Sequence, residues 1–253
     1  MDAIMNKNIG FSLAEALLTI AIIGVVAGMT VPVLISNVNG AKFRNQFRKT
    51  VSTLNQAALL SKAKYGYDFA GTQTPCPQEV AEAESQHPEE HQTFCSLLNG
   101  TLSTKTFYGR VDNIKRQSKN GEVPYKLETR DKIPAIYEGF LAYALADGTI
   151  IAFHPEAHMC ELPMGRRPVQ AVFYGPVENA DLSKCIGFID VNGVSLPNRE
   201  VNCSRGINDV EVNSCVVENN ANRLLDVYPV VFHSATVEPA SAAARYVLDT
   251  AKI

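Results

Sequence analysis

Twenty consecutive residues, from Ala16 to Ile35, carry no charge, and Glu15 is the only charged side chain between Phe11 and Ile35. At about 1.5 Å of rise per residue, roughly 20 helical residues cover the ~30 Å hydrocarbon core of a bilayer. A cleaved secretory signal has a shorter apolar region followed by a small-x-small cleavage site. Here the apolar run passes without a break into an amphipathic segment. The expectation is a retained membrane-spanning helix over 11–35.

Beyond this run the charge is split by region. Residues 36–67 hold Lys42, Arg44, Arg48, Lys49, Lys62 and Lys64 and no acid. Setting these aside with Lys7, Asp2 and Glu15 leaves 16 basic and 24 acidic residues in 68–253, a net of −8. The body is acidic, so the chain has no overall basic footprint for nucleic acid. With 46% hydrophobic and 19% charged residues, neither a disordered chain nor a multi-span membrane protein fits. What remains is one span and a globular body.

The cysteines speak to compartment. All six (Cys76, Cys95, Cys160, Cys185, Cys203, Cys215) lie beyond residue 75, and none forms a C-x-x-C pair. An even number confined to one side of an anchor points to disulfides in an oxidising compartment. Of the 15 connectivities open to six cysteines, local pairing is the one expected: 76 with 95, 160 with 185, 203 with 215. The charges pull the other way, because four basic residues at 42–49 follow the span and only Lys7 and the amino terminus precede it. By the positive-inside rule the body would face the cytoplasm.

The residues entering the span resolve that conflict. Gly10-Phe11-Ser12-Leu13-Ala14-Glu15, followed by an unbroken apolar helix, resembles the type IV prepilin signature of pilins and secretion pseudopilins. The resemblance covers about the first 40 residues. It implies cleavage after Gly10 by a prepilin peptidase, N-methylation of the new terminus Phe11, and an assembly role for Glu15 as the fifth residue of the mature chain. Pro32 sits where many members have a helix proline. Lys7 is further from the glycine than the family's usual basic residue, and Met5 offers an alternative start with a shorter leader.

Part of this follows from physics alone. A carboxylate in lipid costs at least ~2.5 kcal/mol and calls for a partner. For Glu15 that partner is the amine of Phe11 on a neighbouring subunit, unless the side chain reaches the headgroups. Gly24 and Gly28 form a G-x-x-x-G spacing that lets helices approach closely. Pro32 lacks an amide donor and clashes with the preceding turn, so a kink is expected between Gly28 and Pro32. Beyond it, Phe43, Phe47, Val51, Leu54 and Ala58 recur at three- and four-residue steps and predict an amphipathic helix to about Tyr65-Gly66. The basic side chains at 42–49 are expected on a solvated or subunit-facing stripe.

The fold expected is α+β and pilin-like: a long N-terminal helix, transmembrane then amphipathic, packed on an antiparallel sheet. The segments are a leader (1–10), the membrane or filament-core half-helix (11–35), the amphipathic half-helix (36–66), a variable loop region (67–138) and a sheet domain with a disulfide-linked C-terminal region (139–253). Strands are predicted at Phe140–Ala146, Thr149–Phe153, Val169–Tyr174, Cys185–Val191 and Val227–His233, with Asp147-Gly148 as a hairpin turn.

Two motifs invite metal chemistry. Asp190-Val191-Asn192-Gly193 presents oxygens at alternate positions but lacks the remaining acids of a calcium loop, so a self-satisfied turn is the better reading. His87-Pro88-Glu89-Glu90-His91 matches H-x-x-E-H, and His154-Pro155-Glu156-Ala157-His158 echoes it. The flanks of the first motif are polar and offer no apolar helix face, so a solvated acidic loop is expected rather than catalytic zinc. No catalytic residue, metal ligand or cofactor is assigned.

The whole reads as a non-enzymatic filament subunit, a minor pilin, stored as a single-pass protein of the inner membrane with its body outside the cytoplasm and extracellular after assembly. The partners implied are other pilin subunits, a prepilin peptidase and an assembly platform. The alternatives are a pseudopilin of a type II secretion or DNA-uptake system and, from a different class, a membrane-anchored hydrolytic or metal-binding domain.

Overall fold

The computed structural model describes residues 12–103, 105–162, 182–209, 215–218 and 223–250, and side chains in 31–38 lie outside the description. Gly10, Phe11 and the strand predicted at Val169–Tyr174 therefore fall outside it.

Helix α1 (Leu13–Tyr65) contains the apolar run and the amphipathic segment in one uninterrupted element. The helical backbone continues through Pro32. Its end is chemically marked: Gly66 adopts φ 81° and donates its N–H to the Lys62 carbonyl at 3.2 Å, while Lys62 and Lys64 lie in the negative last turn. In the outer half, Phe43, Phe47, Val51, Leu54 and Ala58 are all buried. The three- and four-residue spacing has done what it predicts.

This stripe packs on a six-stranded, wholly antiparallel sheet ordered β1-β4-β5-β6-β7-β8. Its strands are β1 (Lys105–Arg110), β4 (Leu141–Leu145), β5 (Ile150–Phe153), β6 (Ile186–Asp190), β7 (Val227–His233) and β8 (Thr236–Pro239). Period-two alternation divides the side chains between two layers. Leu141, Tyr143, Ile151, Phe153, Ile189, Tyr228, Val230 and Phe232 join the α1 side. Ala142, Ile150, Ala152, Phe188 and Val227 face a second core closed by Val111, Ile114, Tyr125, Ile133 and Tyr137. On the first side Phe47 stacks on Tyr228 at 4.2 Å, and Phe69, Phe94, Phe153 and Phe232 form a ring cluster.

Asp147-Gly148 makes the β4–β5 turn as predicted, with Gly148 at φ 86° and its N–H on the Leu145 carbonyl at 2.9 Å. The sheet starts earlier than expected, because β1 belongs to it and lies within 67–138. That region also holds α2 (Val80–Ser85), α3 (Phe94–Thr101) and a separate hairpin, β2 (Lys115–Ser118) with β3 (Gly121–Pro124). These short helical and strand pieces help to cover both faces of the sheet. The chain closes with α4 (Ala242–Asp249), whose Ser241 hydroxyl accepts the Ala244 N–H.

Disulfides join Cys76–Cys95, Cys160–Cys185 and Cys203–Cys215, the expected local pairing, with Cα separations of 5.6, 5.7 and 5.3 Å. Gly187 is fixed by space alone. A Cβ there would come within 2.1 Å of the Ala152 carbonyl oxygen and 2.8 Å of the Phe232 ring. Gly187→Ala must push apart β5 and β6, and a loss near the top of the usual ~1–3 kcal/mol range for overpacking is expected in urea unfolding.

Candidate functional site

Three groups of residues stand out: the start of α1, its anchorage on the body, and a knot of buried carboxylates.

At the start, Ser12 is extended (φ −77°, ψ 147°) and caps α1. Its hydroxyl accepts the Glu15 N–H at 3.2 Å, while its own N–H and hydroxyl both donate to Glu15 Oε2, at 3.0 and 2.9 Å. This is a reciprocal capping box. Leu13–Thr30 is long and apolar enough to cross a membrane, and none of it is buried against the body. Leu13, Ile20, Ile23 and Met29 are each at least 65% exposed, so this half-helix offers apolar surface to something outside the chain. Its hydroxyls need no outside partner: Thr19 donates to the Ala16 carbonyl and Thr30 to that of Val26, each at 2.9 Å. A Cβ on Gly24 or Gly28 would meet nothing within 4 Å, which leaves that spacing open to a neighbouring helix.

At the anchorage, the basic side chains at 42–49, expected on a solvated or subunit-facing stripe, are exposed at Lys42 and Lys49 and half-buried at Arg44 and Arg48, and two of them also bond to the body. Arg48 Nε donates to the Leu248 carbonyl at 2.9 Å and Nη2 to that of Thr250, filling acceptors left open at the end of α4. Lys49 pairs with Asp147 at 2.9 Å, and Gln46 donates to Asp147 and to the Thr149 hydroxyl. Burial pushes the Asp147 carboxyl up, but hydrogen bonds from Lys49, Thr149 and Gln46 outweigh it and hold the group at about 2. Further along, Asn55 accepts the Val237 N–H at 2.7 Å, tying α1 to the edge strand β8. These side chains fasten the helix to the body.

The knot lies where β6 ends and β7 begins. Asp190, Asp226 and Asn198 are fully buried, and Glu200 is 1% exposed. Asp190 accepts the Tyr125 hydroxyl at 2.6 Å and the Asn192 N–H at 3.0 Å, and Asp226 accepts the N–H groups of Asn198 and Arg199 at 3.1 and 2.7 Å. Glu200 gathers the N–H groups of Asp131, Lys132 and Ile133 at 2.7–3.1 Å. Asn192 donates to the carbonyls of Ser195 and Leu196. The loop thus satisfies its own backbone, as the turn reading requires. Tyr125, Glu200 and Asp226 were not singled out in the sequence, because their partners lie 27 to 69 residues away.

His87 and His91 sit on a single turn, where the Glu90 and His91 N–H groups donate to the His87 carbonyl. His87 lines a cleft of ≈ 660 Å³ with Tyr65, Glu84, Lys105 and Tyr143, whereas His91 is not part of its wall. In the second motif, His154 Nδ1 accepts the Glu156 N–H at 3.1 Å. Among the described residues, no three His, Cys, Asp or Glu side chains converge to hold a metal ion. Compared with family models, with curated proteins and with solved structures, the chain finds no match.

Proposed function

We propose that the chain is a structural subunit of a type IV pilus or related filament, a minor pilin, assembled through α1 after cleavage between Gly10 and Phe11. One observation carries the reading. A single helix is apolar and exposed over Leu13–Thr30, then buried and fastened from Phe43 on, against a body closed by three disulfides. Such a helix has an outer half built to hold its own domain and an inner half whose surface needs other helices or lipid. The prepilin-like G-F-S-L-A-E run at its head supports filament partners after membrane storage. In this reading Glu15 pairs with the terminal amine of the neighbouring subunit, and the body stands outside the cytoplasm, where its disulfides form. A pseudopilin of a secretion or DNA-uptake machine shares every one of these features.

Mass spectrometry of the membrane-extracted protein tests the proposal. The expected amino terminus is N-methylated Phe11. Gly10→Asp is expected to abolish it, because a charged side chain does not fit a site that accepts glycine. An intact Met1 or Met5 terminus in cells with an active prepilin peptidase would refute the assignment.

A further inference from the structure

Two stretches of opposite charge make no ion pair among the described residues. Residues 77–92 hold Glu79, Glu82, Glu84, Glu89 and Glu90 and no lysine or arginine. The β2–β3 hairpin carries Lys115, Arg116 and Lys119, with Lys119 in its turn, and its one carboxylate, Glu122, accepts from Gln117 at 2.9 Å. Lys115 and Lys119 are exposed, as are Glu84, Glu89 and Glu90, which line the ≈ 660 Å³ cleft. That cleft also holds Lys105. Its ammonium donates to the Asn99 and Leu102 carbonyls at the end of α3, at 3.2 and 2.7 Å, and feels the charge of Glu84. Glu89 and Glu90 keep the rim acidic.

The fold sets hairpin and cleft apart. The cleft includes Phe107 and Tyr143, which belong to the core on the α1 side of the sheet. The hairpin is closed at its base by the Tyr125 N–H on the Ile114 carbonyl at 2.8 Å, and both residues are buried in the second core, on the other face. With the sheet between them, a cationic hairpin and an acidic cleft in one chain are matched halves of a contact between chains.

We infer that bodies of this chain associate head to tail: the basic hairpin of one copy, led by Lys119, enters the acidic cleft of a second copy and pairs with Glu89 and Glu90. The contact joins two different patches, so it is heterologous and leaves a hairpin at one end and a cleft at the other to continue the series. Opposed charges of this kind select the partner and set its register, while each exposed pair adds little by itself. The contact joins bodies rather than helices and does not rest on the filament reading.

The test is zero-length carbodiimide cross-linking of the full-length protein in detergent, mixing isotopically heavy and light chains and reading the linked peptides by mass spectrometry. Amide links between 115–119 of one isotope and 84–90 of the other are expected. Their yield should collapse at about 1 M salt, where the screening length is roughly 3 Å. Lys115→Glu with Lys119→Glu is expected to lower the yield about ten-fold, because attractive pairs become repulsive. Glu89→Lys with Glu90→Lys should do the same, and mixing the two variants should restore links between them. Circular dichroism confirms that these exposed substitutions leave the fold intact. Links confined to one chain, or a heavy–light yield indifferent to salt and to charge reversal, would overturn the contact. Retention of a short DNA duplex by the hairpin without heavy–light links would assign it to a polyanion and overturn the contact as well.

Discussion

Reduction of the three disulfides is expected to lower the melting temperature of the body by roughly 20–40 °C. The bridges close loops with sequence separations of 19, 25 and 12 residues. On the chain-entropy account each such closure stabilises by about 3 kcal/mol. Three together approach ~10 kcal/mol, which is of the order of a whole domain's stability. For a body of about 200 residues each kcal/mol moves the midpoint by roughly 2–4 °C. The bridges are also placed where the core has least regular structure of its own. Cys76–Cys95 ties the segment after α1 to α3, and Cys160–Cys185 joins the chain leaving β5 to the start of β6. A soluble fragment beginning at Lys42 retains the buried stripe of α1, and circular dichroism with and without a phosphine reductant reads the effect. A shift under 5 °C would show that packing alone holds the body. Alkylation without reductant should label few or none of the six cysteines. Six labelled thiols in freshly isolated protein would favour the cytoplasmic orientation that the positive charges at 42–49 imply.

The parts of this fold legible in the sequence are those whose signal is local. The stripe from Phe43 to Ala58 repeats at helical spacing, Asp147-Gly148 announces a turn, and β6 and β7 are short apolar runs. The disulfides pair neighbours in the chain. Other elements have no local signature. β1 reads Lys-Thr-Phe-Tyr-Gly-Arg, without clean alternation, and its register shifts between Phe107 and Gly109. β8 ends in a proline, and α4, eight residues opening on three alanines, packs against β8 and α1. The bonds of Arg48 span 200 residues or more, and no pattern in one sequence displays them. At the candidate site the S-x-x-E spacing of Ser12 and Glu15 is a capping-box signature.

The body is expected to lose stability as pH rises from 4 to 8, with Asp226 alone contributing about 3 kcal/mol of the loss. Burial raises its carboxyl to about 6, against the opposing hydrogen bonds from the N–H groups of Arg199 and Asn198. Asp190 is pushed up in the same direction, first by burial and then by the nearby Asp226 charge, and Glu200 is raised by burial against three backbone donors. For a group whose folded pKa exceeds its unfolded value, near 3.9, the stabilising contribution is complete below pH ~4. It is lost as pH climbs through about 6, because the folded state must then hold a charge that the unfolded chain hydrates freely. A shift of roughly two units corresponds to ~3 kcal/mol. Asp147 acts oppositely, since it is held at about 2, but its contribution disappears only below pH ~4 and is weakened by solvent at its part-exposed site. Between pH 5 and 8 the buried knot therefore sets the slope. Urea unfolding across that range should show the decline, and Asp226→Asn should flatten it even where it lowers stability overall, because an amide cannot ionise. A wild-type profile that is level or rises from pH 5 to 8 would mean that the donors around these carboxylates outweigh their burial, and that the knot is held as a set of anions rather than shared with protons.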